Sequence, residues 1–333
     1  MSHISQQISP STIHILGVGN VGSSFLELLN SRNYILTGAS DSKSTLYDSS
    51  GLDIKNILNI KRKNKYKLSS YENAEYISDK SYDFINPSDI VIDATPTNLK
   101  NARTSLKRSR EILKRGSYLI LAAKDALSYG ADELIEEFPD KIGLNAVIGG
   151  TGLNLVKNLQ ELKDNCLAIS IVGNATTTAI IKEIEQGLSL QEGIAKARKL
   201  GLLEADPTFD FDGTDAAIKL AIVAKIVFGL KILPEDIKRE HIESLNPNLL
   251  QKRKQDGKTT RLVGRVDRLG NIHVKYEEID LKSPLNTTAE SVAYQYNLSG
   301  DKKIVYLGNG LGPVGTAKAI VEDLSFLCPI NEV

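Results

Sequence analysis

The stretch "IHILGVGNVGSSFLELL" near the N-terminus constrains the fold more than any other part of the sequence. Its apolar run ends in Gly17, Gly19 and Gly22, spaced as GxGxxG, and this order predicts a strand, a tight turn and a helix. The first glycine permits the turn, the second lets the backbone approach a pyrophosphate, and the third lets helix and strand pack closely. The helix would begin near Asn20 and Val21 and offer unpaired N–H groups to phosphates. We therefore predict a Rossmann-type nucleotide-binding domain.

The segments that follow indicate a parallel sheet. "YILTGAS", "DIVIDATP" and "SYLILAA" are typical of buried strands, and "LKNARTSLKRSREILKRG" has the spacing of a basic amphipathic helix. Strands that alternate with helices predict a parallel sheet with helical crossovers. Residues 52–82 are polar and rich in lysine, and their pattern predicts no particular element.

The pattern changes after about residue 150. Residues 176–200 and 213–230 have helical spacing, and "RLVGRVDRLGNIHVKYEEI" alternates with period two on both sides of "DRLGN". That alternation predicts a hairpin with an Asn/Gly turn. We therefore expect an α/β chain in which residues 1–150 form the Rossmann-type parallel-sheet domain and residues 151–301 form a second, α+β domain. Residues 302–333 would add a strand, a glycine turn and a helix that rejoin the first domain.

The composition excludes several classes of partner. Lysine plus arginine equals aspartate plus glutamate, 41 of each, so no basic excess favours nucleic acid or an anionic membrane. The most apolar stretch carries Lys219, Lys225 and Lys231, which is typical of a buried helix and not of a membrane span. The N-terminus lacks the pattern of a signal peptide, and the two cysteines form no CxxC motif. We expect a cytoplasmic protein that binds a small molecule and neither nucleic acid nor membrane.

Residues at two strand ends are candidates for cofactor contacts. Asp41 follows Gly22 by nineteen residues and ends the second predicted strand, where an acid can bind an adenosine ribose. Lys43, flanked by serines, could instead hold a 2′-phosphate, and Asp41 could simply cap a loop. The choice between NAD and NADP therefore stays open. Thr95 and Pro96 lie at the end of "DIVIDATP" and are predicted nicotinamide contacts, because ligands gather at the carboxyl ends of parallel strands.

An acid-rich stretch, "GLLEADPTFDFDGTDAAIK", stands directly before the most apolar segment. Acidic runs are usually solvated surface, but this one leads into a helix that looks buried. The stretch resembles the signature of homoserine dehydrogenases, roughly G-Y-x-E-x-D-P-x-x-D-x-x-G-x-D-x-x-x-K. Leu202 stands at the position that is usually aromatic. The matching residues are Gly201, Glu204, Asp206, Pro207, Asp210, Gly213, Asp215 and Lys219.

The resemblance extends over nearly the whole chain. "GNATTTAII" resembles the family's "NGTTNYIL" segment, with Ala175 for a usual glycine and Thr178 for a usual asparagine. "LILAAKDALS" resembles the "TANK" segment, and "GNGLGPVGTAKAIVEDL" resembles the C-terminal "GxGAGxxxTAxxVxxD" element. "NAVIGGTG" matches "EAxVGGGIP" only partly, because Leu144 replaces the acid and Gly152 the proline. In relatives that acid helps to bind a monovalent cation, so these two departures argue against a cation site.

Membership of this family would define the reaction and the roles of the site residues. Homoserine dehydrogenases interconvert L-homoserine and L-aspartate 4-semialdehyde with NAD or NADP, in threonine, methionine and isoleucine biosynthesis. The resemblance implies that Glu204 and Asp210 hold the substrate ammonium, and that Lys124 and Lys219 lie near the reacting oxygen. Asp215, one helical turn before Lys219, would orient its ammonium. A lysine acts as a base only where burial or a second cation lowers its pKa, so which lysine moves the proton stays open.

The resemblance has further implications for the cofactor, the substrate and the assembly. Thr176 would contact the substrate, and Lys124 and Gly312 would lie against the cofactor. The chain would be the short, monofunctional form. Its second domain would be catalytic and would also form a homodimer, with the sheet continued across a two-fold axis. The hairpin near residues 261–279 offers candidate edge strands.

Simpler structural roles are possible for several of these residues. Asp206 and Asp212 have the character of solvated or capping residues, Asp215 could be a surface partner of Lys219, and Lys124 could be an exposed residue after a strand. Two other functions also fit the nucleotide fold. One is a related Rossmann dehydrogenase for another small amino alcohol or semialdehyde, and the other is a catalytically silent nucleotide-binding regulator.

Overall fold

The computed structural model describes residues 10–31, 33–63, 67–80, 85, 88–200, 203 and 207–329. Within them, the N-terminal half contains one sheet and the helices that cover it. The strands are β1 (Ser11–Leu16), β2 (Tyr34–Ser40), β3 (Thr45–Tyr47), β4 (Tyr76–Ser78), β5 (Ile90–Asp93), β6 (Tyr118–Leu121) and β7 (Ile142–Gly143). The helices are α1 (Asn20–Leu28), α2 (Ile54–Arg62), α3 (Ala102–Lys114) and α4 (Asp125–Glu137).

The predicted parallel sheet is confirmed. Its strand order is β4-β3-β2-β1-β5-β6-β7. The pairs β2–β1, β1–β5, β5–β6 and β6–β7 are all parallel. Two short antiparallel strands, β3 and β4, extend one edge. The segment without a clear pattern, residues 52–82, forms α2 and β4. Asp53 caps α2 by accepting hydrogen bonds from the main-chain N–H groups of Lys55 and Asn56.

A second sheet, with its own helices, follows in the chain. The strands are β8 (Cys166–Val172), β9 (Lys238–Arg239), β10 (Lys258–Asp267), β11 (Ile272–Asp280), β12 (Val292–Leu298) and β13 (Lys303–Gly308), in the order β13-β12-β8-β10-β11-β9. The helices are α5 (Gly152–Lys157), α6 (Leu159–Asn165), α7 (Ala175–Glu185), α8 (Leu190–Lys199), α9 (Thr208–Phe211), α10 (Thr214–Phe228) and α11 (Pro247–Gln255). The predicted hairpin is β10–β11, which pairs antiparallel from Lys258 with Asp280 to Val266 with Ile272.

The helix α10 is central. Apart from Asp215, Lys219 and Lys225, its side chains are apolar on nearly every side, which is typical of a core helix. Leu220, Ile222 and Val223 are fully buried. The core cluster that contains them also includes Leu121 of β6 and Leu127 of α4 in the N-terminal half. Each fully buried side chain of this size stabilises the fold by about 1.5–3 kcal/mol. The two sheets therefore share one core, and α10 lies between them.

The C-terminal segment divides between the two sheets. The strand β13 pairs antiparallel with β12 of the second sheet. A last helix, α12 (Gly312–Leu327), packs against α1, β6 and β7 of the first sheet. The prediction that residues 302–333 return to the first domain as a strand and a helix is wrong for the strand, because β13 extends the second sheet, whereas the helix α12 does pack on the first sheet. Within the described part of the chain, no helix is both long enough and apolar enough to cross a membrane.

Candidate active site

The glycine loop between β1 and α1 has the geometry of a phosphate cradle. Gly17 has a φ of +91° and donates from its main-chain N to Ser40 O at 2.7 Å. A Cβ on Gly22 would lie 2.0 Å from Gly17 O, so only glycine fits there. A Cβ on Gly19 would meet no described atom within 4 Å, and no side chain caps α1 at this end. The main-chain N–H groups at the start of α1, from Asn20 onward, are therefore suited to a pyrophosphate.

Asp41, the candidate ribose ligand, is already engaged by its own loop. Its Oδ1 accepts from the main-chain N–H groups of Lys43 and Ser44, both at 2.8 Å. Its Oδ2 forms an ion pair with Lys61 Nζ at 2.8 Å. Burial opposes the ionisation of Asp41, but these hydrogen bonds and the charge of Lys61 lower its pKa below the usual value. The geometry agrees with the capping alternative and places two lysines, Lys43 and Lys61, at this loop.

The turn after β5 contains Thr95 and Pro96, the predicted nicotinamide contacts, and is held by the buried side chain of Asp93. Asp93 Oδ1 accepts from Thr95 N at 3.1 Å and from Thr95 Oγ1 at 2.5 Å. Its Oδ2 accepts from Arg108 at 2.8 Å. Pro96 is exposed, and Thr95 is partly exposed. Asp93 was not singled out from the sequence, because an acid that ends an apolar strand shows no partner until Arg108 of α3 folds over it.

Two lysines converge on Asp215, in the first turn of α10. Lys219 Nζ donates to Asp215 Oδ2 at 2.8 Å and to Gly173 O at 2.5 Å. Lys124 Nζ lies 3.5 Å from Asp215 Oδ1. Burial raises the pKa of Asp215, but the charges of Lys219 and Lys124 outweigh it and lower the pKa to about 2. The carboxylate therefore stays ionised and orients both ammonium groups, as the i,i+4 spacing had suggested for Lys219.

Asn174 links this cluster to a second acid. Its Nδ2 donates to Asp210 Oδ1 at 2.6 Å and to Asp215 Oδ2 at 3.3 Å. Its Oδ1 accepts from Thr177 N at 2.8 Å, so the same side chain caps α7. Burial and the charge of Asp215 raise the pKa of Asp210, and hydrogen bonds from Asn174 and Thr176 only partly offset them. The sequence offered two signals for Asn174: it matches the first residue of the family's "NGTTNYIL" segment, and asparagine is a favoured cap residue.

The other predicted residues have different outcomes. Asp212 Oδ1 accepts from Thr214 N at 2.9 Å, which is the capping alternative. Gly312 has a φ of +65°, is exposed and begins α12. Glu204, like Gly201, Leu202 and Asp206, lies outside the described residues, so its predicted contact with the substrate ammonium stays a prediction.

Comparison with known proteins gives two matching family models. The model described as homoserine dehydrogenase matches residues 153–325, which include Asn174, Asp215 and Lys219. The model described as glutamate/leucine/phenylalanine/valine dehydrogenase matches residues 1–114, the part that contains the glycine loop.

Individual proteins are similar over most of the chain. The homoserine dehydrogenase of Methanocaldococcus jannaschii is 30% identical over 332 residues, which cover 94% of this chain and 97% of the relative. The NAD(+)-dependent homoserine dehydrogenase of Pseudomonas canavaninivorans is 25% identical over 253 residues, 71% of this chain and 70% of the relative. A crystal structure from Archaeoglobus fulgidus superposes with a TM-score of 0.77 at 25% identity, covering 94% and 98% of the two chains. A hyperthermophilic archaeal homoserine dehydrogenase in complex with NADPH has a similar fold, with a TM-score of 0.74 at 23% identity over 95% and 96% of the chains.

Proposed function

Because this chain belongs to the homoserine dehydrogenase family, we propose that it interconverts L-homoserine and L-aspartate 4-semialdehyde in the site around Asp215. It is an NAD(P)-dependent oxidoreductase that acts on a CH–OH group. A nicotinamide cofactor held at the glycine loop would supply the hydride-transfer chemistry. The chain itself must bind the substrate, orient it, and move one proton at its oxygen.

The observation that carries the proposal is a series of direct contacts from the glycine loop to the lysine pair. A Cβ on Gly17 would lie 2.8 Å from Thr95 N, so the loop lies against the turn after β5. Two residues later in that turn, Thr97 Oγ1 accepts from the main-chain N–H of Lys124 at 3.2 Å. The Lys124 ammonium lies 3.5 Å from Asp215. A nicotinamide beside Thr95 would therefore be close to a substrate held at the lysines.

The two lysines are positioned to control charge at the substrate oxygen. An ammonium has three N–H groups, and Lys219 directs two of them at Asp215 and Gly173. One N–H of Lys219 is left for a substrate oxygen. Lys124 is held less closely, since its contact with Asp215 is longer and a quarter of its side chain is exposed. Lys219 is thus the fixed donor, and Lys124 has more freedom to approach and leave.

Asp210 is the described carboxylate best placed for the substrate ammonium. Asn174 and Thr176 hold it beside the Asp215 cluster, and its side chain is not paired with a lysine by any described contact within 4 Å. A substrate ammonium there would give Asp210 a directly paired positive charge, in addition to the more distant charge of Lys219. Glu204 would be the second carboxylate, as the family resemblance implies.

We also propose how this site is arranged in the whole protein. The N-terminal sheet would be the nucleotide-binding domain and the second sheet the catalytic and dimerisation domain, with the active site where α10 joins them. The chain would form a homodimer through the second sheet. A cytoplasmic location fits an enzyme of amino-acid biosynthesis.

A steady-state assay tests the activity. The purified protein with L-homoserine and either NAD or NADP at alkaline pH should increase the absorbance at 340 nm. Lys219→Ala protein from the same preparation controls for a contaminating dehydrogenase, and 1,4-butanediol controls for alcohols that lack the amino and carboxyl groups. No signal with either cofactor, and none in the reverse direction with aspartate semialdehyde, would contradict the proposal.

The alternative of a related amino-acid dehydrogenase has one observation in its favour. The match of residues 1–114 to the glutamate/leucine/phenylalanine/valine dehydrogenase model covers the glycine loop but ends before Lys124. The match therefore concerns the cofactor and does not reach the residues that would select the substrate. Turnover of a panel of amino alcohols separates the two functions.

A further inference from the structure

A second polar cavity lies away from the active site, at the C-terminal end of α7. Its volume is about 290 Å³, and its lining includes Lys182, Glu185, Lys254, Thr259, Arg261 and Asn286. The eleven-residue helix α7 separates it from Asn174 and Thr176, which lie at the other end. An α-helix rises 1.5 Å per residue, so Lys182 and Glu185 lie about 9 Å and about 14 Å from Thr176 along the helix axis.

The charges in this cavity do not balance. Three cations, Lys182, Lys254 and Arg261, face one carboxylate, Glu185. Glu185 is itself committed, because it accepts from Thr259 Oγ1 at 2.6 Å and from the main-chain N–H of Thr260 at 2.9 Å. Its Oε1 is 4.0 Å from Arg261, and its side chain is 3% exposed. The cavity therefore has a surplus of two positive charges.

Arg261 is fixed in the wall of the cavity and cannot escape to solvent. The residue is 1% exposed. Its NH1 donates to Thr259 Oγ1 and Thr260 O, both at 2.6 Å, and its NH2 donates to Asn286 Oδ1 at 2.6 Å and to Thr287 O at 3.2 Å. Its Nε is buried and has no hydrogen-bond partner within the described residues. These contacts explain how Arg261 of β10 anchors the loop that contains Asn286, but they do not explain why two lysines share its cavity.

Lys182 experiences the unbalanced charge directly. It is partly buried on the inner side of α7. Burial lowers the pKa of Lys182, and the charges of Arg261 and Lys254 lower it further, with Glu185 acting in the opposite direction. Like charges are brought this close most readily where an anion neutralises them.

We propose that this cavity is a binding site for a small dianion, held by the ammonium groups of Lys182 and Lys254, with the charge of Arg261 in the wall behind them. The shared chemistry is two negative charges on oxygen atoms, as in a phosphate monoester or a dicarboxylate. Lysine ammonium groups form charge-assisted hydrogen bonds to both kinds of anion. The site is separate from the nucleotide loop and from the Asp215 cluster.

Isothermal titration calorimetry on the full chain tests the site. The protein is first saturated with NADP, so that phosphate cannot bind at the nucleotide loop, and the ionic strength is held constant. Inorganic phosphate and succinate are titrated separately. We expect one saturable site per chain for at least one of them, with the dissociation constant raised tenfold or more by Lys182→Gln and by Lys254→Gln. Lys252→Gln is the matched control, because Lys252 is an exposed lysine of the same helix, α11, that does not line the cavity.

Each outcome supports or overturns the site. Binding of phosphate alone would indicate that the natural ligand is a phosphate monoester, and binding of succinate alone would indicate a dicarboxylate. Binding of both would indicate a site that recognises two negative charges on either kind of group. The site is refuted if neither ion binds the wild-type chain, or if both cavity variants bind as the wild type does. Homoserine turnover is measured on the same samples and should stay within twofold in all three variants. A wild-type protein without turnover would count against the proposed activity and leave the dianion result to be judged separately.

Discussion

Lys219 and Lys124 contact the two different oxygens of the Asp215 carboxylate. This arrangement gives a specific prediction about turnover. Replacing Lys219 by alanine removes a donor from the reacting oxygen, so kcat should fall by about a hundred- to ten-thousandfold with a modest change in KM. Lys124→Ala should behave in the same way. Lys231→Ala is the control, because that lysine is exposed beyond the end of α10. Near-normal turnover of a folded Lys219→Ala protein, judged by circular dichroism, would make Lys219 a structural residue.

Asn174 is a positioning residue whose two functions can be separated by substitution. Asn174→Ser keeps an oxygen that can cap α7 but loses the hydrogen bonds to Asp210 and Asp215. Hydrogen bonds to charged groups contribute about 1.5–3 kcal/mol, so we expect KM for homoserine to rise by roughly tenfold or more while the melting temperature stays near that of the wild type.

Asn174→Asp is the companion variant, since it would place a third carboxylate beside two others. Repulsion among the three should raise KM further than the serine variant does. Steady-state kinetics and thermal melts on both proteins are the measurements. If Asn174→Ser loses stability but keeps its KM, the residue serves only the helix cap.

The pH dependence of substrate binding should report on Asp210. Its pKa is raised by burial and by Asp215, so it takes up a proton at a higher pH than an ordinary aspartate does. Only the ionised form attracts the substrate ammonium. KM for homoserine should therefore increase as the pH falls through the raised pKa, and Asp210→Asn should have a high KM that lacks this step. A KM that is flat in the wild type down to the usual aspartate range would contradict the assignment.

Cofactor choice depends on the loop that contains Asp41. Because Asp41 is bonded to its own loop and to Lys61, Asp41→Ala should disturb the loop and weaken NAD and NADP alike. Lys43→Ala and Lys61→Ala should weaken NADP selectively if these lysines hold a 2′-phosphate. Titration of reduced cofactor fluorescence measures each constant. Selective loss of NAD in Asp41→Ala would restore the ribose role of that residue.

Among single residues, the sequence could predict pairs that are close along one helix and could not predict pairs made by folding. Asp215 and Lys219 share a face of α10, so their contact follows from i,i+4 spacing. Asp93 of β5 accepts a hydrogen bond from Arg108 of α3. Asn174, just before α7, donates hydrogen bonds to Asp210 and Asp215, which lie more than thirty residues later in the chain. Nothing in local spacing distinguishes such residues from ordinary strand ends and caps.

Among the elements, predictability followed the strength of the local pattern. The β1–turn–α1 unit, the hairpin and α10 have long apolar periods or glycine signals, and all three occur as predicted. The described part of residues 52–82 forms a short α-helix, a single 3-10 turn at Leu68–Ser70 and a three-residue strand. Elements this short have too few buried positions to impose a period on a polar segment.

The glycine loop offers a matched pair of substitutions at the scale of an element. A Cβ on Gly22 would lie 2.0 Å from Gly17 O, so Gly22→Ala should force α1 away from β1 and cost about 1–3 kcal/mol of stability. Gly19→Ala meets no described atom and should leave the melting temperature nearly unchanged. Its methyl group would nevertheless stand where a pyrophosphate approaches, so affinity for NADPH should fall at least tenfold. Unchanged NADPH affinity in Gly19→Ala would show that phosphates do not bind over this loop.

For the whole molecule, the shared core explains why two sheets of different type can hold one active site. The cluster around α10 includes apolar residues of β6 and α4, so Asp215 and Lys219 are fixed relative to Lys124, which directly precedes α4. The sequence predicted both sheets but not their strand order, because β9 is only two residues long and β13 joins the second sheet at the opposite edge.

The last prediction concerns assembly, for which the second sheet offers an unpaired edge. The strand β13 pairs with β12 on one side, and no described strand covers its other side. Leu307 of β13 is 62% exposed, an unusual position for a large apolar side chain on an edge strand. Exposed edges of this kind are normally covered. The hairpin edge at β11 is different, because β9 already pairs with His273 and Val274.

We therefore expect light scattering at micromolar concentration to give about twice the 36.4 kDa of one chain. Leu307→Asp would place a charge at the uncovered edge and should shift the particle toward the monomer, since a buried unpaired charge is costly. Leu269→Asp is the control, because Leu269 is 88% exposed at the tip of the hairpin turn and should tolerate a charge without effect. A wild-type particle of one chain would refute the dimer. A dimer that survives Leu307→Asp but is lost in Leu269→Asp would move the contact from β13 to the hairpin.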